Sequence, residues 1–129
     1  MSTWTTDDLD RIGAADELQI APLNPDGSPR PYTTIWVVRV GDNLYVRSYR
    51  GRGGGWFRRA VHTHARRIRA GGVERDVTFD EPANPDRADL DATIDRAYRG
   101  KYARFSRTYV DPMVSPEAAA ATLRISPRS

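Results

Sequence analysis

The sequence predicts an α+β fold built around a small antiparallel β-barrel. Three observations lead there: short stretches rich in β-branched and aromatic residues outnumber helical ones, glycine-bearing turns join them in succession as hairpins, and 129 residues without a cysteine suffice for one core that needs no disulfide or structural metal. A mean hydropathy of −0.65 fits a globular domain spanning residues 1–129. No apolar run approaches the ~20 residues that cross a bilayer, and residues 1–10 are polar and acidic where a secretory leader would be basic and then apolar. The expected location is the cytoplasm. The lack of cysteine excludes a thiol nucleophile, so redox chemistry would require a cofactor.

Thr5 or Thr6 caps a first helix whose opening turn carries Asp7 and Asp8, acids suited to the positive end of the helix dipole. That helix closes near Gly13 and turns Leu9 and Ile12 toward the body. Residues 17–23 read as a strand, followed by the turn cluster Asn24, Pro25, Asp26, Gly27 and Ser28. The run YTTIWVVRV over residues 32–40 is the next strand, with Tyr32, Thr34, Trp36, Val38 and Val40 on one face and Thr33, Ile35, Val37 and Arg39 on the other, both largely buried. Gly41, Asp42 and Asn43 turn the chain into a third strand over residues 44–49, where Leu44, Val46 and Ser48 oppose Tyr45, Arg47 and Tyr49. A glycine-rich loop over residues 50–55 leads into a short helix in which Trp56 and Ala60, and Phe57 and Val61, lie one turn apart. Two further strands, marked by Ile68, Val73, Val77 and Phe79, are joined near Gly71 and Gly72. A Pro-containing joint over residues 81–86 precedes a helix over residues 86–102 that repeats Leu90, Ile94, Tyr98 and Tyr102. A loop over residues 103–116, punctuated by Pro112 and Pro116, then leads to a last strand over residues 121–125.

Charge is unevenly spread. Residues 1–29 sum to −5 and residues 76–129 to −1, whereas residues 30–75 hold eleven arginines against Asp42 and Glu74, a net of +9. If those arginines share a surface it attracts anions; if the acidic flanks fold over them the charge is neutralised locally. Within the basic segment, the loop R-G-R-G-G-G followed by W-F-R-R joins glycines, which let backbone N–H groups approach an anion, to the positive start of a helix. Arg50, Arg52, Arg58 and Arg59 flank it, and Arg47 is expected on the same side as Tyr49. The loop matches neither G-x-G-x-x-G, since Trp56 stands at the last glycine, nor a P-loop, since no lysine follows. Trp36, Tyr49 and Trp56 are candidates for a bed under a planar ring.

The stretch DGSPRPYTTIWVVRVGDNLYVRSYRGRGGGWFRRAV resembles the cofactor-binding half of the flavin and deazaflavin oxidoreductases built on the pyridoxamine-5′-phosphate-oxidase-like split β-barrel. The resemblance rests on the order of a hairpin turn, a strand of the form LYVxS, a basic glycine loop and a helix opened by Trp56. The motifs SYRGRGGGWFRR, AGG-x-x-x-DV-x-F and YVDPMVSP make the whole chain similar to a family of small actinobacterial proteins of unknown function. The resemblance implies a six-stranded antiparallel split β-barrel with flanking helices, a homodimer, and a flavin mononucleotide (FMN) or deazaflavin coenzyme at the barrel edge. It implies phosphate contacts from Ser48, Arg50 and Arg52, with Arg47, Gly53, Gly54 and Gly55 completing the loop. Ring or ribityl contacts fall to Thr33, Thr34 and Ile35, and Trp56 covers the loop. The loop lysine common in flavin-using members is absent, with Arg30 the nearest basic residue on the early strand.

Three functions follow. The first is a redox enzyme passing a hydride to or from a small organic substrate, in which no catalytic side chain is compulsory. Tyr45, Tyr49, Tyr98, Tyr102 and Tyr109 are candidates for proton donors or for packing, and none is assigned as catalytic. The second is a non-catalytic binder of a cofactor or another anionic small molecule. The third, weak nucleic-acid binding, is motivated by the basic segment and disfavoured by the acidic termini. His62 and His64 diverge on a helix and lack a third ligand, so no metal site is expected. Asp7 and Asp8, like Asp89 and Asp91, fall at helix starts and serve capping. The 103–116 loop, with Tyr109 and Met113, is expected to line the substrate side or a dimer contact.

Overall fold

The computed structural model describes residues 4–22, 32–63, 65–82, 87–105 and 107–128. The turn expected at residues 24–28, Arg30, the His62 side chain, His64 and part of the joint at residues 81–86 lie outside them. The helices are α1 Thr6–Ala14, α2 Gly55–Thr63, α3 Arg87–Lys101, α4 Arg107–Val110 and α5 Pro116–Ala120, with 3-10 turns at Gly51–Gly53 and Asp111–Val114. The strands are β1 Leu18–Pro22, β2 Thr33–Ile35, β3 Val37–Val40, β4 Asn43–Arg47, β5 Ala65–Ala70, β6 Val73–Asp80 and β7 Thr122–Pro127.

All seven strands join one antiparallel sheet in the order β2-β1-β5-β6-β7-β4-β3. The seventh strand, one more than expected, comes from the run over residues 32–40, whose ladder breaks at Trp36. The half before Trp36 pairs with β1 (Ile35 opposite Leu18), and the half after it pairs with β4 (Val37 opposite Val46). The two ends of the sheet are therefore consecutive pieces of chain, which curls the sheet into a nearly closed barrel.

Period-two alternation sorts the side chains as the sequence requires. Ile35, Val37, Leu44 and Val46 point into the barrel with Ile20, Ile68, Val77, Phe79, Leu123 and Ile125, and α1 (Leu9, Ile12) and α2 (Phe57, Ala60) close this core. Val38 and Tyr45 point outward and are covered by Ile94 and Tyr98 of α3, with Tyr102, Val110 and Met113 completing a second core. Thr5 caps α1 by accepting from the Asp8 amide at 3.1 Å. The β5–β6 turn needs glycine at Gly71: φ is +57°, and a Cβ there would run into the Arg11 main chain at the end of α1.

The 103–116 stretch is largely helical, contrary to its reading as a loop. Asp111-Pro112 opens the second 3-10 turn, and Ser115-Pro116 opens α5, the Ser115 hydroxyl accepting from the Ala118 amide at 3.1 Å. Proline fits a first helical turn, where its missing N–H has no acceptor to lose, so these signals marked helix starts. Among the described residues no helix is long and apolar enough to cross a membrane.

Candidate functional site

The barrel opens where the β3–β4 ladder ends. Val46 pairs with Val37, but two residues on, just past the end of β4, and two residues back, at the end of β2, Ser48 and Ile35 both border a cavity of about 730 Å³. β2 bonds to β1 along one edge, so its other edge turns backbone N–H and C=O groups toward this split.

One end of the cavity is a cradle for an anion. The Gly51 amide donates to the Ser48 carbonyl at 2.9 Å, and the Gly54 amide donates to the Gly51 carbonyl at 3.1 Å. Gly51, at φ +73°, makes the turn that brings Gly54 over Ser48. A Cβ on Gly54 would collide with the Ser48 hydroxyl, so only glycine permits this approach. Helix α2 begins at the next residue with no acid in its first turn. Its leading amides have no intrahelical acceptor and carry the positive end of the dipole. The Arg59 guanidinium folds back over the same turn, its Nη1 3.2 Å from where a Gly55 Cβ would stand. Arg50 lies at the rim, donating from Nε to the Tyr49 hydroxyl at 3.1 Å and stacking over the Tyr49 ring. Among the described residues lining the cavity there are three arginines and no carboxylate.

The other end is aromatic and apolar. Trp36 stacks on Tyr102 with centroids 3.9 Å apart and planes 4° from parallel, and Phe105 leans on Trp36 at 5.3 Å. Tyr102 is itself fixed: its hydroxyl accepts from the Val37 amide at 3.2 Å and donates to the Asp16 carbonyl at 2.6 Å. Burial pushes this phenol's pKa upward, so it stays a neutral donor. Thr108, Tyr109, Pro112 and Met113 form the facing wall, and Trp56 stands beside the cradle.

Of the residues read from the sequence, Thr33, Thr34, Ile35, Arg47, Ser48, Arg50, Gly54, Gly55 and Trp56 line the cavity, whereas Arg52 and Gly53 do not. The Arg52 guanidinium is held by the Glu81 carboxylate and donates to the Ala120 carbonyl at 3.0 Å, on the far side of the turn. Arg47 borders the cavity but parts company with Tyr49: its side chain is wholly buried beneath α3, while Tyr49 is 54% exposed. Arg59 joins the wall with Thr108, Tyr109, Pro112 and Met113 of the 103–116 stretch, which was expected to line either the substrate side or a dimer contact. Arg59 was legible, being one helical turn beyond Gly55 on the same face; for the 103–116 stretch the sequence offered two alternatives and no pattern to choose between them. Nor do the described arginines of residues 30–75 form one basic face. Arg39 pairs with Asp10, Arg47 with Asp91 and Asp95, Arg52 with Glu81, Arg67 with Glu74 and Asp76, and Arg75 with Asp8. Five of the segment's described arginines are thus each paired with a carboxylate.

Comparison with known proteins places the chain. Residues 8–125 match the model of a family described as uncharacterized protein conserved in bacteria, DUF2255. The chain belongs to the DUF2255 family. No curated protein matches this DUF2255 chain. Among solved structures it is similar to an FAD-binding protein from Mesorhizobium loti, with a TM-score of 0.60 at 14% identity over 98% of this chain and 92% of that one. A putative pyridoxamine 5′-phosphate oxidase from Listeria innocua gives 0.58 at 10% identity over 95% and 90%. An F420 reductase gives 0.53 at 16% identity over 93% and 90%. At these identities the likeness is one of fold, and the fold is the antiparallel split barrel that the motifs had implied.

Proposed function

We propose that the cavity binds a phosphorylated flavin or deazaflavin coenzyme and that the protein is an oxidoreductase acting on a small organic substrate. The observation that carries this reading is a cavity with an anion cradle at one end, an aromatic wall at the other and no carboxylate among its described lining residues. The residues present fit such a group. The Ser48 hydroxyl, the leading amides of α2, Arg59 and Arg50 would hold the phosphate by charge-assisted bonds. The free edge of β2 at Thr33–Ile35 offers main-chain donors and acceptors to a heterocycle's polar edge. When bound, the coenzyme supplies hydride chemistry that the side chains here cannot. Trp36, held flat by Tyr102, and the wall from Tyr109 to Met113 orient the ligand and exclude water from it. The DUF2255 chain's likeness to an F420 reductase and to FAD-binding proteins supports this reading at the level of fold.

The test is direct, because Trp36 and Trp56 both line the cavity. FMN and a deazaflavin are titrated separately against the protein and tryptophan quenching is followed. Saturable quenching by one of them is expected, weakened about ten-fold or more by Arg59→Ala, since a charge-assisted bond contributes roughly 1.5–3 kcal/mol. No binding of either at high micromolar concentration ends the proposal. Binding without turnover across electron donors and a panel of quinone, enone and nitro substrates would assign the protein a carrier role instead. Tyr49 and Tyr109, exposed beside the cavity, suit contact with a second copy of the chain, which sedimentation equilibrium would detect.

A further inference from the structure

We infer that Arg47 is a positioning residue that holds the cavity's outer wall, and that it makes no contact with the ligand's anion. The inference rests on the ligand reading above for its binding consequences and on the geometry alone for the wall. Arg47 looks like a third cation for the cradle, since it borders the cavity and stands at the variable position of LYVxS, directly before Ser48. Its donors are already taken. Nε donates to the Thr122 hydroxyl at 3.0 Å, and Nη1 to the Asp95 carboxylate and to the Met113 carbonyl at 3.1 Å. Nη2 donates to the Asp91 carbonyl at 3.3 Å and to its carboxylate at 3.4 Å.

These acceptors belong to three different elements: Asp91 and Asp95 to α3, Met113 to the second 3-10 turn, and Thr122 to the first residue of β7. Thr122 passes the tie on, its hydroxyl donating to the Ala119 carbonyl at 2.8 Å, and Arg87 reinforces it by binding both Asp91 and that same carbonyl. One guanidinium thus fastens the turn carrying Pro112 and Met113 to the barrel at the place where the barrel opens. Among the described residues a second polar tie from α3 to that turn is an exposed one: Arg99 pairs with Asp111 at 3.4 Å, both side chains more than half exposed. Such a bridge does little to fix position. An ammonium cannot replace Arg47, because a lysine's three donors radiate from one atom and cannot span acceptors spread over three elements.

The consequence is a division of labour: the cradle holds the anion whatever the wall does, and Arg47 sets how closely the wall closes on the ring. The experiment compares wild type, Arg47→Lys and Arg99→Ala at a temperature where all three are folded by circular dichroism. Amide hydrogen exchange over residues 107–120 is expected to speed up about ten-fold or more in R47K, with the β5–β6 hairpin unchanged, and to stay as in wild type in R99A. Affinity for FMN is expected to fall about ten-fold in R47K, while affinity for inorganic phosphate, measured by calorimetry, stays within about two-fold. Phosphate binding that weakens in step with FMN would make Arg47 an anion contact and overturn the inference. Unchanged exchange over residues 107–120, or loosening spread equally over the hairpin, would overturn it as well, as would equal loosening in R99A. Should wild type bind neither probe, the coenzyme reading falls, and the exchange measurement still decides whether Arg47 holds the wall.

Discussion

Replacing Gly54 by alanine tests the cradle at its tightest point. The backbone there, at φ −63° and ψ 140°, suits any residue, so the substitution by itself would stabilise the fold by about 0.4–1 kcal/mol through the unfolded chain. The obstacle is steric. A Cβ on Gly54 meets the hydroxyl of Ser48, a residue only 2% exposed, so the hydroxyl must shift within a packed site. Overpacking of this kind costs about 1–3 kcal/mol, so the net effect of G54A is a loss of about 1–2 kcal/mol. For a chain of this length that lowers Tm by roughly 4–8 °C. Ser48→Ala removes the offending oxygen and leaves the Gly51 carbonyl at 3.4 Å and the Arg50 Cβ at 3.6 Å as the nearest atoms, both at ordinary contact distance. In that background G54A is expected to be neutral or mildly stabilising, a coupling of about 1–3 kcal/mol between the two sites. Urea unfolding of the four chains measures it. Equal cost of G54A with and without the Ser48 hydroxyl would refute the close approach on which the cradle depends.

Other expectations come from buried or misassigned groups. Tyr98 is fully buried and among the described residues its hydroxyl has no hydrogen bond of ordinary geometry, the Arg47 main chain being its polar neighbour, so Tyr98→Phe is expected to leave stability unchanged or raise it by up to about 1 kcal/mol; a loss of more than about 1 kcal/mol in urea unfolding would show that the Arg47 main chain is a true partner. Arg52→Ala removes an exposed pair with Glu81 and is expected to cost less than about 1 kcal/mol and to change FMN affinity less than about two-fold, in contrast to R59A under the same titration. Burial lowers the pKa of Lys101, the chain's one lysine, to about 8, while its ammonium donates to the Val37 carbonyl at 2.6 Å. The unfolded chain keeps that proton to about pH 10, so it binds more protons than the folded one between about pH 8 and 10, and stability rises with pH across that window. Above about pH 10 the sign reverses, because burial keeps Tyr98 and Tyr102 protonated in the fold while the unfolded phenols ionise. Lys101→Met should flatten the rise in Tm between pH 8 and 10; a variant that rises as steeply as wild type would show that another group is responsible.

The barrel was legible because its evidence is local. Alternation over residues 32–40 and 44–49 put Val37 and Val38, and Val46 and Tyr45, on opposite faces, and the structure covers those faces with two separate cores. The glycines at residues 71 and 72 marked a hairpin that formed. The break at Trp36 was not legible, since no glycine or proline marks it and it arises from one stretch serving two partners at opposite ends of the sheet. The site divides in the same way. Ser48, Gly54, Gly55 and Trp56 lie within nine residues of one another and announced themselves as a loop and helix start. Arg52 sits in that same loop and faces the other way because Glu81, 29 residues distant, captures it. Met113 and Tyr109 reach the cavity only through the packing of α3 and the ties of Arg47, and no short-range pattern encodes such an arrangement. Prolines 112 and 116 misled for a related reason: proline punctuates turns and helix starts alike, and only the following residues' tertiary contacts decide between them.

That the stretch broken at Trp36 supplies both the seam of the barrel and a side of its opening couples two properties that many proteins keep apart. A molecule lodged against Thr33–Ile35 would lean on the very segment whose neighbouring half zips the sheet shut, so occupancy should be felt as resistance to heat and to proteases throughout the body. Drift in this stretch would be doubly constrained: any inserted residue would invert the pleat for one half, unseating Val37 from the interior or turning Trp36 away from Tyr102.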